Sequence, residues 1–232
     1  MGIINITPDS FFDDGVLGSK KLLQQRFLTA RDMGIKFLDI GCMSTKPNFM
    51  SIDKLDELNR FQYFLNNMNN EFKYSIDSNT VEVIDKALGS GFSVINDVFG
   101  FQNQEIINKA LEYGCGIILV HRHPLSKNIH EKMEYKDIVS EVKDQINKQI
   151  SRLIDSGLHE SQIAIDPGLG FGKKLEDSAR LLLEIEKLAG DFPLIVGYSN
   201  KKFIDSASLP KDSLLDHCYN SGVSLVRLHI DK

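Results

Sequence analysis

Eight short apolar runs in this chain lead to polar residues, most of them of types that bind substrates. Carboxylate, amide, imidazole, ammonium and guanidinium groups at such positions suit hydrogen bonding to a small polar molecule. The runs are strand-like, and the stretches between them have helical period. The polar residues that end the runs or closely follow them are Asn5, Asp39, Asp77, Asn96, His121, Asp166, Ser199, Lys201, Arg227 and His229.

The alternation of eight strands with helices predicts an α/β fold, a (β/α)8 TIM barrel, in one domain spanning residues 1–232. The active site of such a barrel lies at the C-terminal ends of its strands, where these polar residues fall. No helix is predicted after the last strand, so the barrel is expected to lack its final helix. The predicted strands are 3–6, 36–40, 72–76, 92–95, 116–121, 162–165, 193–197 and 223–228. The predicted helices are 19–33, 52–68, 80–89, 103–113, 134–156 and 175–189, with a broken helical stretch to 220.

Composition narrows the class of protein. The net charge of −5 argues against a general nucleic-acid binder, so any anion site must be a local cluster of cations. The three widely spaced cysteines form no CxxC pair, which favours a reducing, cytoplasmic setting. No apolar run approaches the ~20 residues needed to span a bilayer, and the first residues lack the features of a signal peptide.

The segment from Asp166 to Lys173, AspProGlyLeuGlyPheGlyLys, is the most specific pattern in the chain. Its glycines at alternate positions indicate either a flexible turn or a backbone that approaches a ligand closely. Asp166 and Phe171 favour the ligand, because a carboxylate accepts N–H bonds from the edge of a flat, nitrogen-rich ring and an aromatic packs on its face.

Three strand-end residues have both a structural and a functional interpretation. Asn5 is either a turn former or a hard oxygen ligand for Mg²⁺, which keeps most of its waters. Asp77 and Asn96 are each possible helix N-caps. Two such residues on adjacent strands facing one barrel mouth favour ligand binding.

A set of cations lies at or after the ends of predicted strands, four of them at the last two strands. Each is either a solvated surface charge or part of a phosphate or pyrophosphate site. Arg227 and His229 alternate on one strand and so face the same side. The cations in question are Lys46, Lys201, Lys202, Arg227 and His229. His121 and His123 suggest a metal site, but zinc needs at least three ligands and no fitting third is near, so a polar strand end is the favoured interpretation.

Taken together, the motifs resemble those of dihydropteroate synthases, in that family's order and over essentially the whole chain. They are MetGlyIleIleAsnIleThrProAspSerPhe at 1–11, AspIleGly-x-x-SerThr-x-Pro at 39–47, SerIleAsp at 75–77, IleAsnAspVal at 95–98, AspProGlyLeuGlyPheGlyLys at 166–173, Gly-x-Ser-x-Lys at 197–201 and ArgLeuHis at 227–229.

The resemblance implies a Mg²⁺-dependent condensation of p-aminobenzoate with 6-hydroxymethyl-7,8-dihydropterin pyrophosphate. Lys201, Asp77 and Asp166 are then the catalytic residues, and Asn5 is the metal ligand. The pterin is assigned to Asp77, Asn96, Asp166, Gly197 and Lys201, and p-aminobenzoate to Thr45, Pro47, Phe171 and Lys201. The pyrophosphate is assigned to Asn5, Thr45, Lys46, Lys202, Arg227 and His229.

The chain also departs from the family pattern, mainly in two loops. Two family arginines of the anion site are lost, at positions 46 and 200. Lysines nearby restore charge but not the bidentate fork of a guanidinium. The segment before the last strand is short. The substituted positions are Cys42, Met43, Lys46, Asn48, Asn200 and Lys202, with Val120 or Arg122 where the family has Met beside His121.

These departures keep rival functions open. One is a degenerate paralogue that binds pterin with little catalysis, and another is a pterin-binding barrel that transfers methyl groups to a corrinoid protein. The Gly-x-Ser-x-Lys turn and Thr45-x-Pro47 favour the synthase. The resemblance also implies small-molecule substrates without nucleic acid or membrane, a homodimer, a possible fusion to a pterin pyrophosphokinase domain, and a sulfonamide target.

Overall fold

The computed structural model describes residues 1–7, 16–43, 53–126, 128, 131–199, 203–204, 210 and 213–230. Strands and helices alternate along these residues, and the paired strands run parallel. The strands are β1 (Gly2–Asn5), β2 (Phe37–Gly41), β3 (Lys73–Asp77), β4 (Val94–Asp97), β5 (Gly116–Val120), β6 (Ile163–Asp166), β7 (Ile195–Gly197) and β8 (Leu225–His229). The helices are α1 (Lys20–Asp32), α2 (Lys54–Leu65), α3 (Val81–Gly89), α4 (Gln104–Tyr113), α5 (Ile138–Asp155), α6 (Leu175–Leu183) and α7 (Leu214–Asn220).

The predicted (β/α)8 order is confirmed, with element ends displaced by a few residues. β2, predicted at 36–40, is Phe37–Gly41, and Gly41 belongs to the strand because it pairs with both neighbouring strands. The predicted helix 175–189 is wrong in its second half. α6 ends at Leu183, and a short 3-10 helix, Ile185–Leu188, follows it.

The structure divides into two compact units, the first of which is Met1–Asn96 with Leu228–Lys232. In this unit β4, β3, β2, β1 and the end of β8 pair in that order. α1 begins at its N-cap Ser19, whose side chain accepts a hydrogen bond from the backbone of Leu22. The unit has an aromatic core in which neighbouring rings stack or meet edge to face. Its members are Phe27, Phe61, Phe64, Phe72, Tyr74 and Phe92.

The second unit is Asp97–Arg227. Within it β5 pairs with β6, a parallel bridge joins Ile165 to Leu194, and β7 pairs with the first part of β8. Its longest helix, α5, buries one stripe of side chains, as expected for an amphipathic helix that faces a core. The stripe comprises Ile138, Val142, Ile146, Ile150 and Leu153.

In the part of the chain that the structure describes, none of the helices has the length and apolar character to cross a membrane. The three cysteines are buried and unbridged. The single-domain organisation stays a prediction.

Candidate functional site

Four strands of the first unit bring their C-terminal residues into one row. In the parallel registers Asn5 pairs with Gly41, Gly41 with Asp77, and Asp77 with Asn96. Register partners in a parallel sheet project to the same face, so the three polar side chains share it. A Cβ on Gly41 would lie 3.2 Å from Asn5 Oδ1 and 3.8 Å from the Asp77 Cβ, so glycine leaves room between them. Asp77 ends β3, whereas Asn96 is the last residue but one of β4, so the two lie on adjacent strands and one face as expected, although β4 continues to Asp97.

Asp39 orients the Asn96 amide, a role that sequence reasoning missed. Both side chains are fully buried, and Asn96 Nδ2 donates a 2.9 Å hydrogen bond to Asp39 Oδ2. The carboxylate fixes which way the amide points, because only the NH₂ group can donate to it. Asn96 Oδ1 has no hydrogen-bond partner among the described residues. A buried acceptor left open in this way is suited to an N–H of a ligand.

In the second unit Asp166 ends β6 with its carboxylate almost fully buried. The backbone N–H of Gly168 donates a 2.7 Å hydrogen bond to Asp166 Oδ1. Asp166 Oδ2 lies 3.7 Å from an Arg227 terminal nitrogen, and the two side chains are only 5% and 8% exposed. This pairing excludes the interpretation of Arg227 as a solvated surface charge. Gly197 ends β7 opposite Arg227, and a Cβ placed on Gly197 would lie 3.7 Å from the Arg227 Cβ, an ordinary contact distance.

The glycine-rich loop after β6 is held by a buried lysine that sequence reasoning did not single out. Lys173 is 4% exposed, and its Nζ donates to the backbone oxygens of Gly168 at 2.9 Å and Phe171 at 3.2 Å. Gly168 has a φ of +64°, and a Cβ there would lie 2.2 Å from the His121 carbonyl oxygen. The glycine is therefore required by both conformation and space. Phe171 is half-buried on this loop.

His121 directly follows β5 and is fully buried. Its Nε2 lies 2.8 Å from Gln145 Oε1. Burial, and secondarily the Lys173 charge, holds the pKa of His121 well below its usual value. His123 is half-buried and meets the Tyr135 ring edge to face, with ring centroids 5.4 Å apart. Within the described ranges no group of three or more His, Cys, Asp or Glu side chains could hold a metal ion.

Of the remaining predicted site residues, the structure describes His229 but not those of two loops. His229 ends β8, pairs with Ile3 of β1 and is half-buried. It lies two residues after Arg227, on the same face of the strand. Several predicted residues lie outside the described residues, so their roles stay predictions: Thr45, Lys46, Pro47, Asn200, Lys201 and Lys202.

Comparisons with known proteins agree with this arrangement. A family model described as "Pterin binding enzyme" matches residues 1–229. Dihydropteroate synthase from Synechocystis sp. is 33% identical over 208 residues, covering 88% of this chain and 72% of the relative. The Escherichia coli K12 enzyme of the same name is 30% identical over 207 residues, covering 88% and 73%.

Solved structures give the same result. The Clostridium difficile dihydropteroate synthase, solved in the presence of pteroic acid, superposes with a TM-score of 0.83 at 27% identity, covering 98% of this chain and 89% of that one. The Xanthomonas albilineans enzyme with 4-aminobenzoic acid has a TM-score of 0.84 at 26% identity, covering 98% and 86%.

Fold, strand-end chemistry and family model together define a pterin-binding enzyme with the (β/α)8 barrel fold. The identity and coverage of the relatives narrow this class further. The chain belongs to the dihydropteroate synthase family, and it is a transferase.

Proposed function

We propose that this chain condenses p-aminobenzoate with 6-hydroxymethyl-7,8-dihydropterin pyrophosphate, giving 7,8-dihydropteroate and pyrophosphate in folate biosynthesis. The main structural support for pterin binding is the arrangement of the Asn96 amide. Asp39 holds its NH₂ group, and its buried oxygen is open to a ligand donor. A solved relative from Burkholderia cenocepacia, 26% identical, is complexed with 7,8-dihydropteroate.

The pterin is recognised by groups of complementary hydrogen-bonding type, of which Asn96 and Asp166 are buried and Asp77 is half-buried. In this proposal Asp77 and Asp166 accept ring N–H groups, Asn96 Oδ1 accepts a further one, and Lys201 and Gly197 complete the pocket. Carboxylates accept charge-assisted hydrogen bonds, which are shorter and stronger than neutral ones. The burial of Asp166 supports this role, since a dry environment strengthens such bonds.

The other two substrate groups are assigned to different residues. Phe171, Thr45, Pro47 and Lys201 border p-aminobenzoate. The pyrophosphate group is assigned to the cations Lys46, Lys202, Arg227 and His229, together with Thr45 and Asn5. Arg227 carries its charge in a buried setting beside Asp166, so it is suited to an anion from which water is excluded.

Mg²⁺ fits the donors present at the end of β1. Asn5 offers a neutral amide oxygen beside Gly41, and no side chain of Gly41 competes for the space. Mg²⁺ takes few protein ligands and keeps several waters or phosphate oxygens, so one such oxygen is an adequate anchor. When bound, the ion neutralises charge on the pyrophosphate.

Catalysis in this scheme requires positioning and electrostatics rather than a protein nucleophile. The bond between the pterin methylene carbon and the pyrophosphate oxygen breaks, a resonance-stabilised pterin cation forms, the aniline nitrogen attacks that carbon, and the nitrogen then loses a proton to water or to the released pyrophosphate. Asp77 and Asp166 hold the pterin ring and stabilise positive charge on it, and Lys201 contacts the pterin. Arg227 and His229 stabilise the departing anion, and Phe171 helps to keep the amine desolvated beside the pterin.

A degenerate pterin-binding paralogue is the second candidate, because two family arginines are replaced by Lys46 and Asn200. An assay of pyrophosphate release separates the two. The synthase requires release that depends on both pterin pyrophosphate and p-aminobenzoate. Restoring the arginines by Lys46→Arg with Asn200→Arg is expected to raise kcat with little change in pterin affinity. No p-aminobenzoate-dependent release from either protein would favour the paralogue.

Further proposals follow from the resemblance and from one solved relative. We expect a homodimer in the cytoplasm, with a fusion to a pyrophosphokinase domain as a possible gene arrangement. A solved dihydropteroate synthase from Yersinia pestis, 26% identical, is in complex with a sulfonamide drug. We therefore expect sulfonamides to compete with p-aminobenzoate here, which a steady-state inhibition assay would test.

A further inference from the structure

Glu57 of α2 is a carboxylate buried in the first unit, with 1% of its surface exposed. Ser78 Oγ donates a 2.6 Å hydrogen bond to Glu57 Oε1, and the Thr80 hydroxyl donates to Glu57 Oε2. One turn further along α2, Arg60 lowers the electrostatic cost of the buried charge and donates to the Cys42 carbonyl oxygen at 3.2 Å. Glu57 is thus held on both oxygens by the turn that joins β3 to α3.

That turn begins directly after Asp77, the last residue of β3. Ser78 occupies its centre: its backbone N–H donates to the Asn96 carbonyl oxygen at 3.3 Å, and its Oγ accepts from the backbone N–H of Thr80 at 3.0 Å. The Glu57 bond to Ser78 therefore joins a network that links the ends of β3 and β4. These ends carry Asp77 and Asn96, the two pterin residues of this unit.

The Thr80 hydroxyl bonds to Glu57 instead of capping helix α3. Thr80 is the N-cap of α3, a position where the hydroxyl normally accepts from a backbone N–H of the first turn. No such bond is present, and the hydroxyl instead donates to Glu57. α3 therefore lacks a side-chain cap bond, and α2 has a buried carboxylate where a solvated one would cost less. Both features accompany the bonds that hold this turn.

The cost of burying Glu57 argues for a role beyond packing. Burial raises the pKa of Glu57, and the two hydroxyl bonds and Arg60 oppose that rise. A buried carboxylate with both oxygens bonded is often no more stabilising than an apolar residue of similar volume. Its advantage is geometric, because two bonds from one rigid group fix both hydroxyls of the turn.

We propose that Glu57 is a positioning residue for the pterin site: by clamping Ser78 and Thr80 it fixes the turn after Asp77, and so the direction of the Asp77 carboxylate. This inference rests on the proposed function, in which Asp77 binds the pterin ring. Glu57 itself contacts no substrate in this account.

The test compares Glu57→Ala, Glu57→Gln and a matched control, Glu82→Ala. Glu82 is an exposed glutamate of α3 that pairs with Lys54 of α2, so the control cuts a surface link between the same two helices. Pterin pyrophosphate affinity is measured by calorimetry without p-aminobenzoate, inorganic pyrophosphate affinity with Mg²⁺ is measured alongside it, and unfolding is followed by circular dichroism.

We expect Glu57→Ala to weaken pterin binding roughly tenfold, as for outer-shell partners that orient ligand-binding groups, while pyrophosphate affinity changes less than about twofold. Glu57→Gln is expected to recover most of the affinity, because its amide can bond both hydroxyls. Glu82→Ala is expected to leave both affinities unchanged. A Glu57→Ala protein that unfolds more easily yet binds pterin normally would overturn the inference, since Glu57 would then be structural only.

Two further sets of variants separate a failure of the positioning role from a failure of the proposed function. If Glu57→Ala does not fold, Ser78→Ala and Thr80→Val remove the same bonds singly, and each must weaken pterin binding selectively or the inference fails. Asp77→Asn reports on the proposed function itself. If Asp77→Asn loses pterin binding while the Glu57, Ser78 and Thr80 variants keep it, the positioning role alone is refuted. A native chain without pterin affinity would refute both.

Discussion

The Asp166→Asn substitution tests the second unit's part of the site, because it keeps shape while removing charge. Asp166 Oδ1 accepts the Gly168 N–H, and an asparagine Oδ1 can accept the same bond. The other oxygen, 3.7 Å from Arg227, becomes an NH₂ group that cannot accept from a cation or from a pterin N–H.

Two magnitudes follow from this geometry. Losing one charge-assisted bond costs about 1.5–3 kcal/mol, so pterin affinity is expected to fall between about tenfold and a hundredfold. Leaving Arg227 buried without its carboxylate partner costs about 3 kcal/mol, the lower end of the range for broken buried pairs. Arg227 has a further interaction in the structure, which favours that lower end.

The assay pairs calorimetric titration of pterin pyrophosphate with guanidinium denaturation at neutral pH. Asp144→Asn is the control, since Asp144 is exposed on α5 and the same chemical change there should alter neither quantity. Unchanged pterin affinity in Asp166→Asn would remove Asp166 from the site. Unchanged stability would show that the pair with Arg227 contributes nothing.

Three other substitutions have equally definite outcomes. Gly168→Ala forces a side chain into left-handed backbone with its Cβ 2.2 Å from a carbonyl oxygen, so denaturation should show a loss above about 2 kcal/mol, whereas Gly190→Ala, which meets nothing within 4 Å, should be tolerated. Burial raises the pKa of Asp97 from 3.8 to about 6, so its protonated form is favoured by folding. The stability of the native chain relative to Asp97→Asn should therefore fall by up to about 3 kcal/mol as pH rises from about 4 to 6, and stay level above, as measured by denaturation across that range. Asn96→Asp would set a second buried carboxylate against Asp39, and both pterin affinity and stability should fall, by at least about 2 kcal/mol in the latter, in the same titration and denaturation assays.

Local patterns in the sequence were sufficient for the order of elements and for the row of strand-end residues. The periodicity that distinguishes strands from helices depends only on residues close in sequence. Parallel strands have their C-terminal ends at the same edge of the sheet, so residues at those ends lie close together. Asn5, Asp77 and Asn96 were therefore predictable as neighbours, and the structure has them in register. Element ends were less predictable, because hydrogen bonds to neighbouring strands decide them, as where β2, predicted to end at residue 40, continues to Gly41.

Tertiary structure alone decided which polar groups are buried and what each one pairs with. In the sequence Asn96 and Asp39, or Asp166 and Arg227, are distant residues of ordinary type, and nothing local distinguishes a buried charge from a solvated one. In the sequence, Glu57 is one of several acidic residues near the start of an amphipathic helix, and nothing local marks it as buried. Its two hydroxyl partners come from a turn more than twenty residues later. Such partners depend on how the strands and helices pack, since burial removes water and makes every remaining hydrogen bond a requirement of the fold.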